Sequence, residues 1–382
     1  MNKVYLVDGC RSPIGRGHPE KGIFKDLRAD ELAAQTLVAL LERTGVKQKE
    51  INDFYLGCVG QHLEQGKNLA RLVLLLSGLP ETIPGVTINR LCASSLTALE
   101  VAAASVHCGT NELVLVGGVE HLGHVPMTAA VNYHPALFKD YDFPWTNMGL
   151  TAEKLAQEFS ISREAQDRFT LESNRRYFDA RERGFFNRER IPITLPDGQV
   201  VNKDQEPRNS TMEILGNLKP VFKADGTVTA ANSSGISDGT CMALIGNEKT
   251  LKRYGWQPLA EIGPAVTIGL NPMRMGLGPV LAISKLLKRV KLQLEDIDLW
   301  EINEAFAAQV LACQQQLNIP SQRLNINGGA VALGHPLGMS GLRLAVTLAH
   351  SLVEMEKQLG IASLCVGHGQ GVAMLLKRAG IN

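Results

Sequence analysis

The sequence has few of the features that mark a secreted, membrane-spanning or nucleic-acid-binding chain. Its seven cysteines are widely scattered without a C-x-x-C pair, so neither a disulfide framework nor a metal site is predicted. No apolar run is long enough to cross a bilayer, and "MNKVYLVDGC" reaches an aspartate too early for a signal peptide. Basic residues (39) balance acidic ones (38), so no global field attracts nucleic acid. We expect a cytoplasmic protein that neither binds nucleic acid nor inserts into a membrane.

The chain does contain a repeated order of segments. "LLERTGVKQKEINDFYLG" at 40–57 resembles "LLKRVKLQLEDIDLWEIN" at 286–303, with four identical residues at one constant offset. "VTINRLCASS" has a counterpart in "LNINGGAVALGH", and "LVLVGGVE" in "SLCVGHGQG". Strand-like runs alternate with helical periodicity in both regions, which predicts α/β layers around buried sheets. We expect two related α/β halves, residues 1–117 and 251–382.

The region between the halves, residues 118–250, is richer in turn formers and charge. An insertion of this length in a compact protein is usually functional, as a lid or a set of binding loops. Two helices are predicted inside it, one at 151–159 and one that begins after Ser162, where "SREA" provides an N-cap and an acidic first turn.

Cys92 stands where the β-rich "VTINRL" leads into the helical pattern of "SSLTALEVAAASV". The unpaired N–H groups and the dipole of a helix N-terminus favour an anion, which predicts a lowered pKa for a thiol at that place. A free cysteine is also a common core residue. This stretch alone therefore leaves a nucleophile and an inert buried thiol open.

Other segments supply groups that would suit a nucleophilic cysteine. His335 lies in a glycine-rich loop that opens a helix, and Cys365 lies between a strand and a glycine turn whose N–H groups could bind an oxyanion. Asn303 is a neutral donor at the head of an apolar helix. Two thiols, an imidazole and amide donors are the groups needed for covalent acyl transfer.

The segments "NRLCASS", "NEAFAAQ", "NGGAVALGHPLG" and "CVGHGQG", in this order and spacing, resemble the thiolase family over essentially the whole chain. "EQGKNLAR", "VGGVEHLGHVPM", "MGLTAE" and "ISREAQD" further resemble the 3-ketoacyl-CoA thiolases that form the β subunit of bacterial fatty acid oxidation complexes. The resemblance implies a thiolase fold. In it, two duplicated α/β halves form an αβαβα layered sandwich, and the inserted loop domain at 118–250 binds CoA.

The resemblance also implies a role for each group. Cys92 would be the nucleophile that carries the acyl thioester, and His335 would take its proton. Cys365 would act as general acid and base, and Asn303 would help to hold the enolate oxygen through a water. The backbone N–H groups of Cys92 and Gly367 would form a second oxyanion site.

For the CoA site, the resemblance places Ser234 and Met148 along the pantetheine and acyl portion. Arg208 is the candidate for the nucleotide end, although "Pro207-Arg208" reverses the order that is usual in the family. The other lysines and arginines of 203–223 remain open between a solvated face and phosphate contacts. CoA is expected as a co-substrate, with no tightly bound cofactor.

Three places depart from a simple match or invite another interpretation. His368 stands where glycine or leucine is usual, and its ring would either perturb Cys365 or point away from it. His121 and His124 beside an acidic residue suggest a metal, but without a further ligand pair we interpret them as loop packing. The segment 138–147 is shorter than in the oxidation-complex relatives.

The activity that the resemblance implies is CoA-dependent cleavage of 3-ketoacyl-CoA to acetyl-CoA and a shortened acyl-CoA, as in fatty acid β-oxidation. The implied assembly is a homodimer, or an α2β2 complex with an α subunit that has enoyl-CoA hydratase and 3-hydroxyacyl-CoA dehydrogenase activities. The alternative is a stand-alone acetoacetyl-CoA thiolase, which is an acetyl-CoA C-acetyltransferase. A third is a non-catalytic acyl-CoA-binding or lipid-binding member of the fold.

Overall fold

The computed structural model describes residues 2–139 and 145–380. The predicted short segment 138–147 therefore lies partly outside the described residues. Within those residues the strands are β1 (Val4–Arg11), β2 (Gly15–Arg16), β3 (Asp53–Gly57), β4 (Gly85–Ile88), β5 (Leu113–His121), β6 (Ile193–Thr194), β7 (Val200–Val201), β8 (Ser237–Asn247), β9 (Ala260–Gly269), β10 (Leu299–Ile302), β11 (Leu359–Val366) and β12 (Gln370–Arg378). The α-helices of the same residues are α1 (Ala29–Thr44), α2 (Leu69–Leu76), α3 (Ser94–His107), α4 (Met148–Glu158), α5 (Arg163–Glu182), α6 (Met212–Gly216), α7 (Glu248–Tyr254), α8 (Gly278–Val290), α9 (Ala307–Leu317), α10 (Ala330–Leu333) and α11 (Leu337–Glu354).

The main sheet contains the same topology twice. In the first half the strand order is β1-β8-β5-β3-β4, with β8 antiparallel to both neighbours and β3 parallel to β5 and β4. The second half repeats this as β9-β12-β11-β10, with β12 antiparallel to its neighbours and β10 parallel to β11. A short β1–β9 pairing joins the halves. The predicted duplication is confirmed.

The pairing registers correct one detail of the predicted repeat. Asp53 lies opposite Val114 in the first half and Leu299 opposite Gly360 in the second, so the whole of β11 is the counterpart of β5. The match of "LVLVGGVE" with "SLCVGHGQG" is therefore shifted. The glycines of the two segments differ in their structural role. Those of "LVLVGGVE" lie inside β5, whereas those that follow β11 form the turn into β12.

Five layers follow from how each sheet face is covered. Residues alternate along the buried strands, so that Val114 of β5 packs on the inner side and Leu115 on the outer side. The inner faces of both halves pack on α3 and α11, which form the central layer. Helices α1 and α2 cover the outer face of the first half, and α8 and α9 that of the second. This is the expected αβαβα sandwich.

Local signals position the helices of both regions. Helix α1 ends at Gly45, whose left-handed φ of 62° lets its N–H reach the carbonyl of Leu41 at 3.0 Å. In the inserted region, Ser162 caps α5 by accepting from the N–H of Ala165 at 3.1 Å, as predicted. The other predicted helix of that region is α4. Among the described residues, no helix combines the length and apolar character needed to cross a membrane.

Candidate active site

Cys92 lies immediately before the central helix α3, as the sequence predicts. Leu91 has a left-handed φ of 46°, which costs a non-glycine residue about 1–2 kcal/mol. Ser94 begins the helix, and its hydroxyl accepts from the N–H of Arg90 at 3.0 Å. The strained turn is thereby held, and it places the partly buried Cys92 between β4 and α3, against the edge of the core.

The lowered pKa that the helix N-terminus predicts for this thiol is not found. Burial raises the pKa of the Cys92 thiol to about 11, and the carboxylate of Glu120 acts in the same direction. The backbone N–H groups of Gly367 and of Cys92 itself lower the pKa of the thiol, without reversing the effect of burial. The thiol is therefore neutral near pH 7, and it needs a base to become a nucleophile. Both N–H groups favour negative charge at Sγ, which is the electrostatic property that a site for an oxyanion formed next to the sulfur requires.

His335 is buried, and its hydrogen bonds define its tautomer. Ser340 donates its hydroxyl proton to the carbonyl of Pro336 at 2.7 Å, so its Oγ accepts from His335 Nδ1–H at 2.6 Å. Nε2 therefore carries the lone pair, and Nδ2 of Asn303 donates to it at 3.2 Å. Burial lowers the pKa of His335 to about 3, helped by the charge of Arg343. The ring is a neutral acceptor, as a base for a thiol must be.

Ser340 is a site residue that the sequence analysis missed. It lies in "GMSG", one turn into the helix that follows His335, and it is fully buried. Ser237 is a second one, because its Oγ accepts from the backbone N–H of His335 at 3.2 Å. A hydroxyl between two glycines near the start of this helix was the only available signal for Ser340.

Asn303 follows the end of β10, and α9 begins only at Ala307, so the predicted place at a helix head is wrong. Its backbone N–H donates to the carbonyl of Ser363 at 2.9 Å, which extends the β10–β11 ladder by one residue. The next residue, Glu304, accepts from Asn325 at 2.9 Å and from Ser173 at 2.7 Å. These bonds hold the Asn303 amide against His335, as the predicted role requires.

Cys365 belongs to the same site. It is buried in β11, two residues before Gly367, and burial and the neighbouring Cys92 raise its pKa well above the usual value. Met148 begins α4 and packs against the apolar cluster that contains Cys365. A Cβ built on Gly367 would lie 3.7 Å from the Met148 sulfur and 3.0 Å from a methyl of Leu91. The structure therefore brings Cys92, Cys365, Gly367 and Met148 together.

The two remaining CoA-site candidates lie on the His335 side. Ser234 donates its hydroxyl and its N–H to the carbonyl of Ala305, each at 3.0 Å. The next carbonyl, that of Gly235, accepts from the backbone N–H of His335 at 3.3 Å. Arg208 lies further out, with 65% of its side chain exposed and a loose contact of 3.8 Å to Glu206. Ser234 therefore borders the site, whereas Arg208 is at the surface.

The interpretations of the three other histidines are resolved by their contacts. The His368 ring packs on Tyr133 and Trp145, so the interpretation in which it points away from Cys365 is confirmed. His124 contacts Glu64 through Nδ1 at 3.0 Å and the carbonyl of Lys25 through Nε2 at 2.7 Å. His121 stacks on His124, with ring centroids 3.9 Å apart. This pair packs the loop, as predicted.

Comparisons with known proteins agree with this geometry. The family model for the thiolase N-terminal domain matches residues 4–249, and that for the thiolase C-terminal domain matches residues 256–378. A 3-ketoacyl-CoA thiolase of Cronobacter sakazakii is 44% identical over 99% of this chain and 100% of its own length. One of Salmonella typhimurium is 42% identical with the same coverage.

Solved structures show the same likeness. Human mitochondrial 3-ketoacyl-CoA thiolase superposes with a TM-score of 0.91 at 36% identity, covering 99% of both chains. The acetyl-CoA acetyltransferase of Bacillus anthracis gives 0.90 at 38% identity, with the same coverage. The matched models span nearly the whole chain, and the chain belongs to the thiolase family.

Proposed function

We propose that this protein is an acyltransferase that cleaves 3-ketoacyl-CoA with CoA, giving acetyl-CoA and a shortened acyl-CoA, as in fatty acid β-oxidation. The observation that carries the proposal is that the backbone N–H groups of Cys92 and Gly367 both favour negative charge at the Cys92 sulfur. A carbonyl oxygen that becomes an alkoxide next to this sulfur would be stabilised there. The relatives that match this chain over its full length are 3-ketoacyl-CoA thiolases, which supports the same reaction.

In the first step of this proposal, His335 Nε2 takes the proton of the Cys92 thiol, and the thiolate attacks the 3-keto carbon. The new S–C bond leaves an alkoxide, which accepts hydrogen bonds from the N–H groups of Cys92 and Gly367. The bond between C2 and C3 then breaks, and its electrons form the enolate of acetyl-CoA. The enolate oxygen lies next to the protonated His335 and the Asn303 amide, both of which are donors.

The Cys365 thiol next donates its proton to C2, which releases acetyl-CoA and leaves a Cys365 thiolate. This thiolate takes the proton of an incoming CoA thiol, and the CoA sulfur attacks the thioester carbon. The acyl–Cys92 bond breaks, the acyl-CoA leaves, and His335 returns its proton to Cys92. Burial keeps Cys365 protonated at rest, which suits a group that must first act as an acid.

We also propose that CoA enters through the inserted region, residues 118–250, as a loop domain between the halves 1–117 and 251–382. The last strand of this region, β8, pairs with β1 and β5 and so belongs to the sheet of the first half. Met148 would contact the acyl and pantetheine portion, because its sulfur lies beside Gly367. Ser234 would line the pantetheine channel next to the His335 backbone. The exposed guanidinium of Arg208 is free to move toward a phosphate of the nucleotide.

For assembly, we propose a cytoplasmic homodimer that pairs through the free edge of β4. This strand ends the sheet order, and an unprotected edge strand favours pairing with another chain. The surface beside it is apolar, with exposed side chains at Leu72, Leu75, Leu76, Val86 and Val101. Binding of a hydratase–dehydrogenase α subunit, giving α2β2, would be tested by co-purification from the native host.

The alternative function is that of an acetyl-CoA C-acetyltransferase acting on acetoacetyl-CoA alone. The favouring observation is that the Bacillus anthracis acetyl-CoA acetyltransferase superposes nearly as well as the human 3-ketoacyl-CoA thiolase. The two functions differ in chain length rather than in chemistry, so the substrate range separates them.

The test is CoA-dependent cleavage of acetoacetyl-CoA and of 3-ketodecanoyl-CoA by the purified protein. We expect the wild type to cleave both substrates and Cys92→Ala to cleave neither. Cys108→Ala is the matched control, because it removes an exposed cysteine at the far end of α3, and it should be as active as the wild type. Activity on acetoacetyl-CoA alone would support the acetyltransferase. The proposal would be overturned if Cys92→Ala kept its activity, or if the wild type cleaved neither substrate.

A further inference from the structure

His368 occupies the second position of the turn between β11 and β12. Its φ of 62° is left-handed, a conformation that glycine adopts without cost and that histidine adopts less readily. The side chain is half-buried and makes specific contacts. Its Nε2 lies 3.0 Å from the hydroxyl of Tyr133, and its ring meets Trp145 edge to face at 5.2 Å.

Tyr133 belongs to a segment with few other attachments. Residues 127–139, called here the aromatic segment, expose several apolar side chains: Met127, Val131, Leu137 and Phe138. Within the described part of the chain, the aromatic segment bonds to its own flanking residue, Pro126, through the N–H of Ala129, and its one hydrogen bond to a distant part of the protein is that between Tyr133 and His368. Three rings, those of Tyr133, Phe138 and Trp145, also contact one another at 5.8–6.2 Å. The histidine therefore anchors an aromatic cluster.

The anchor adjoins the reacting atoms. Gly367, the residue before His368, lies near Cys92, because its N–H lowers the pKa of the Cys92 thiol. The Cα of Gly367 faces Leu91 and the Met148 sulfur, and Trp145 precedes Met148 by three residues. The rings of Trp145 and Tyr133 contact His368, so they lie one residue away from Gly367.

We propose that His368 is a specificity-determining residue, which holds the aromatic segment through Tyr133 so that its rings form a wall for apolar acyl chains longer than that of acetoacetyl-CoA. The proposal rests on the proposed function. The acetyl group left on Cys92 by acetoacetyl-CoA is too short to reach the wall, whereas an eight-carbon acyl group from 3-ketodecanoyl-CoA passes Met148. Discrimination between these two substrates depends on the hydrogen bond.

The experiment compares kcat/KM for 3-ketodecanoyl-CoA with kcat/KM for acetoacetyl-CoA in wild type, Tyr133→Phe and His368→Asn. Asparagine adopts a left-handed φ readily, and its side chain is too short to reach Tyr133, so the turn is kept and the bond is lost. Tyr254→Phe is the matched control, because it removes a hydroxyl that contacts only the surface of the first half. Thermal unfolding checks that each variant is folded.

We expect the ratio of kcat/KM for 3-ketodecanoyl-CoA to that for acetoacetyl-CoA to fall about tenfold in both variants. This is the effect expected when about one methylene of a substrate loses its contact with an apolar pocket. The loss should appear as a raised KM for the long substrate, and the double variant should lose no more than either single one. An equal change for both substrates, or an unchanged ratio, would overturn the inference while leaving the proposed function intact. A wild type inactive on both substrates would instead overturn the proposed function, and the inference with it.

Discussion

The two halves of this protein share one topology but differ in chemistry. The first half supplies Cys92, whereas the second supplies His335, Asn303, Cys365 and the N–H of Gly367. Their registers align Asn303 with Gly57, which packs directly against the start of α3. The duplicated fold thus places the proposed nucleophile in one half and the groups proposed to activate it in the other. Cys92 precedes α3 and His335 precedes α11, and these two helices pack on each other in the central layer.

The difference at Gly57 explains why the first half carries no amide like Asn303. A side chain at Gly57 would overlap the backbone nitrogen of Ser95 and approach the carbonyl carbon of Ser94 to 2.6 Å. The N-terminus of α3 therefore lies closer to its sheet than the loop around His335 lies to β10. Close packing here holds the Cys92 turn, whereas space at Asn303 accommodates a functional side chain.

The largest expected effect comes from removing the base that the second half provides. Since the Cys92 thiol is neutral at pH 7, His335→Ala should lower kcat by about 10³-fold, within the usual range for general acid–base catalysis. His62→Ala, at an exposed histidine, is the control. Steady-state cleavage of acetoacetyl-CoA measures both, and a loss below tenfold would mean that another group accepts the proton.

The counterpart in the first half should affect stability. Gly57→Ala forces a methyl group against the backbone of α3, so we expect the free energy of unfolding to fall by about 1–3 kcal/mol, as for an overpacked core. Urea denaturation followed by circular dichroism measures this. Gly45→Ala should cost less, because a Cβ there meets nothing within 4 Å, although its positive φ remains unfavourable. If both variants lost the same free energy of unfolding, the tight packing at Gly57 would not contribute to stability as described.

A smaller effect is expected at the hydroxyl that orients the base. Ser340→Ala removes the acceptor of His335 Nδ1–H, and the loss of one buried hydrogen bond should reduce kcat by about tenfold. Ser340→Cys, which offers a weak acceptor, should recover part of the rate. If Ser340→Ala matches wild type, the tautomer is held by something other than this bond.

The smallest effect should be that of pH. The active pair is a neutral His335, whose pKa is lowered to about 3, and a protonated Cys92, whose pKa is raised to about 11. His335 stays neutral at every pH above its pKa, and the thiol stays protonated below its own. The logarithm of kcat/KM for acetoacetyl-CoA should therefore be flat between about pH 5 and 9. A decline centred near pH 6.5 would show that His335 titrates like a solvated histidine.

Most of the fold could be predicted from the sequence because its signals are local. The segment around Gly45 ends α1 and the "SREA" segment begins α5, and the repeat of 40–57 in 286–303 predicts the duplication. The shift at β11 could not be foreseen. Glycines of a strand interior and of a turn look alike in sequence, and only the pairing register separates them.

The sequence indicates the candidate site residues better than it indicates their energetics. Motif spacing led to Cys92, His335, Asn303, Cys365 and Gly367; the structure places Asn303 against His335, and Cys92 beside Gly367 and Cys365. The lowered pKa expected for Cys92 was wrong, because burial outweighs the helix N-terminus. Ser340 was missed because its contact with His335 depends on how the loop enters α11. Burial and loop geometry are tertiary properties that one sequence does not display.

The proposal to test is that the acyl group is carried by Cys92 of the first half, and that groups of the second half activate this thiol. Its most direct test is rapid acid quenching of the enzyme during turnover of acetoacetyl-CoA, followed by peptide mass spectrometry. In the wild type we expect one acetyl group on the peptide that contains Cys92 and none on the peptide that contains Cys365. In Cys92→Ala we expect no acetylated peptide. An acetyl group on Cys365, or full turnover without any acylated peptide, would contradict it.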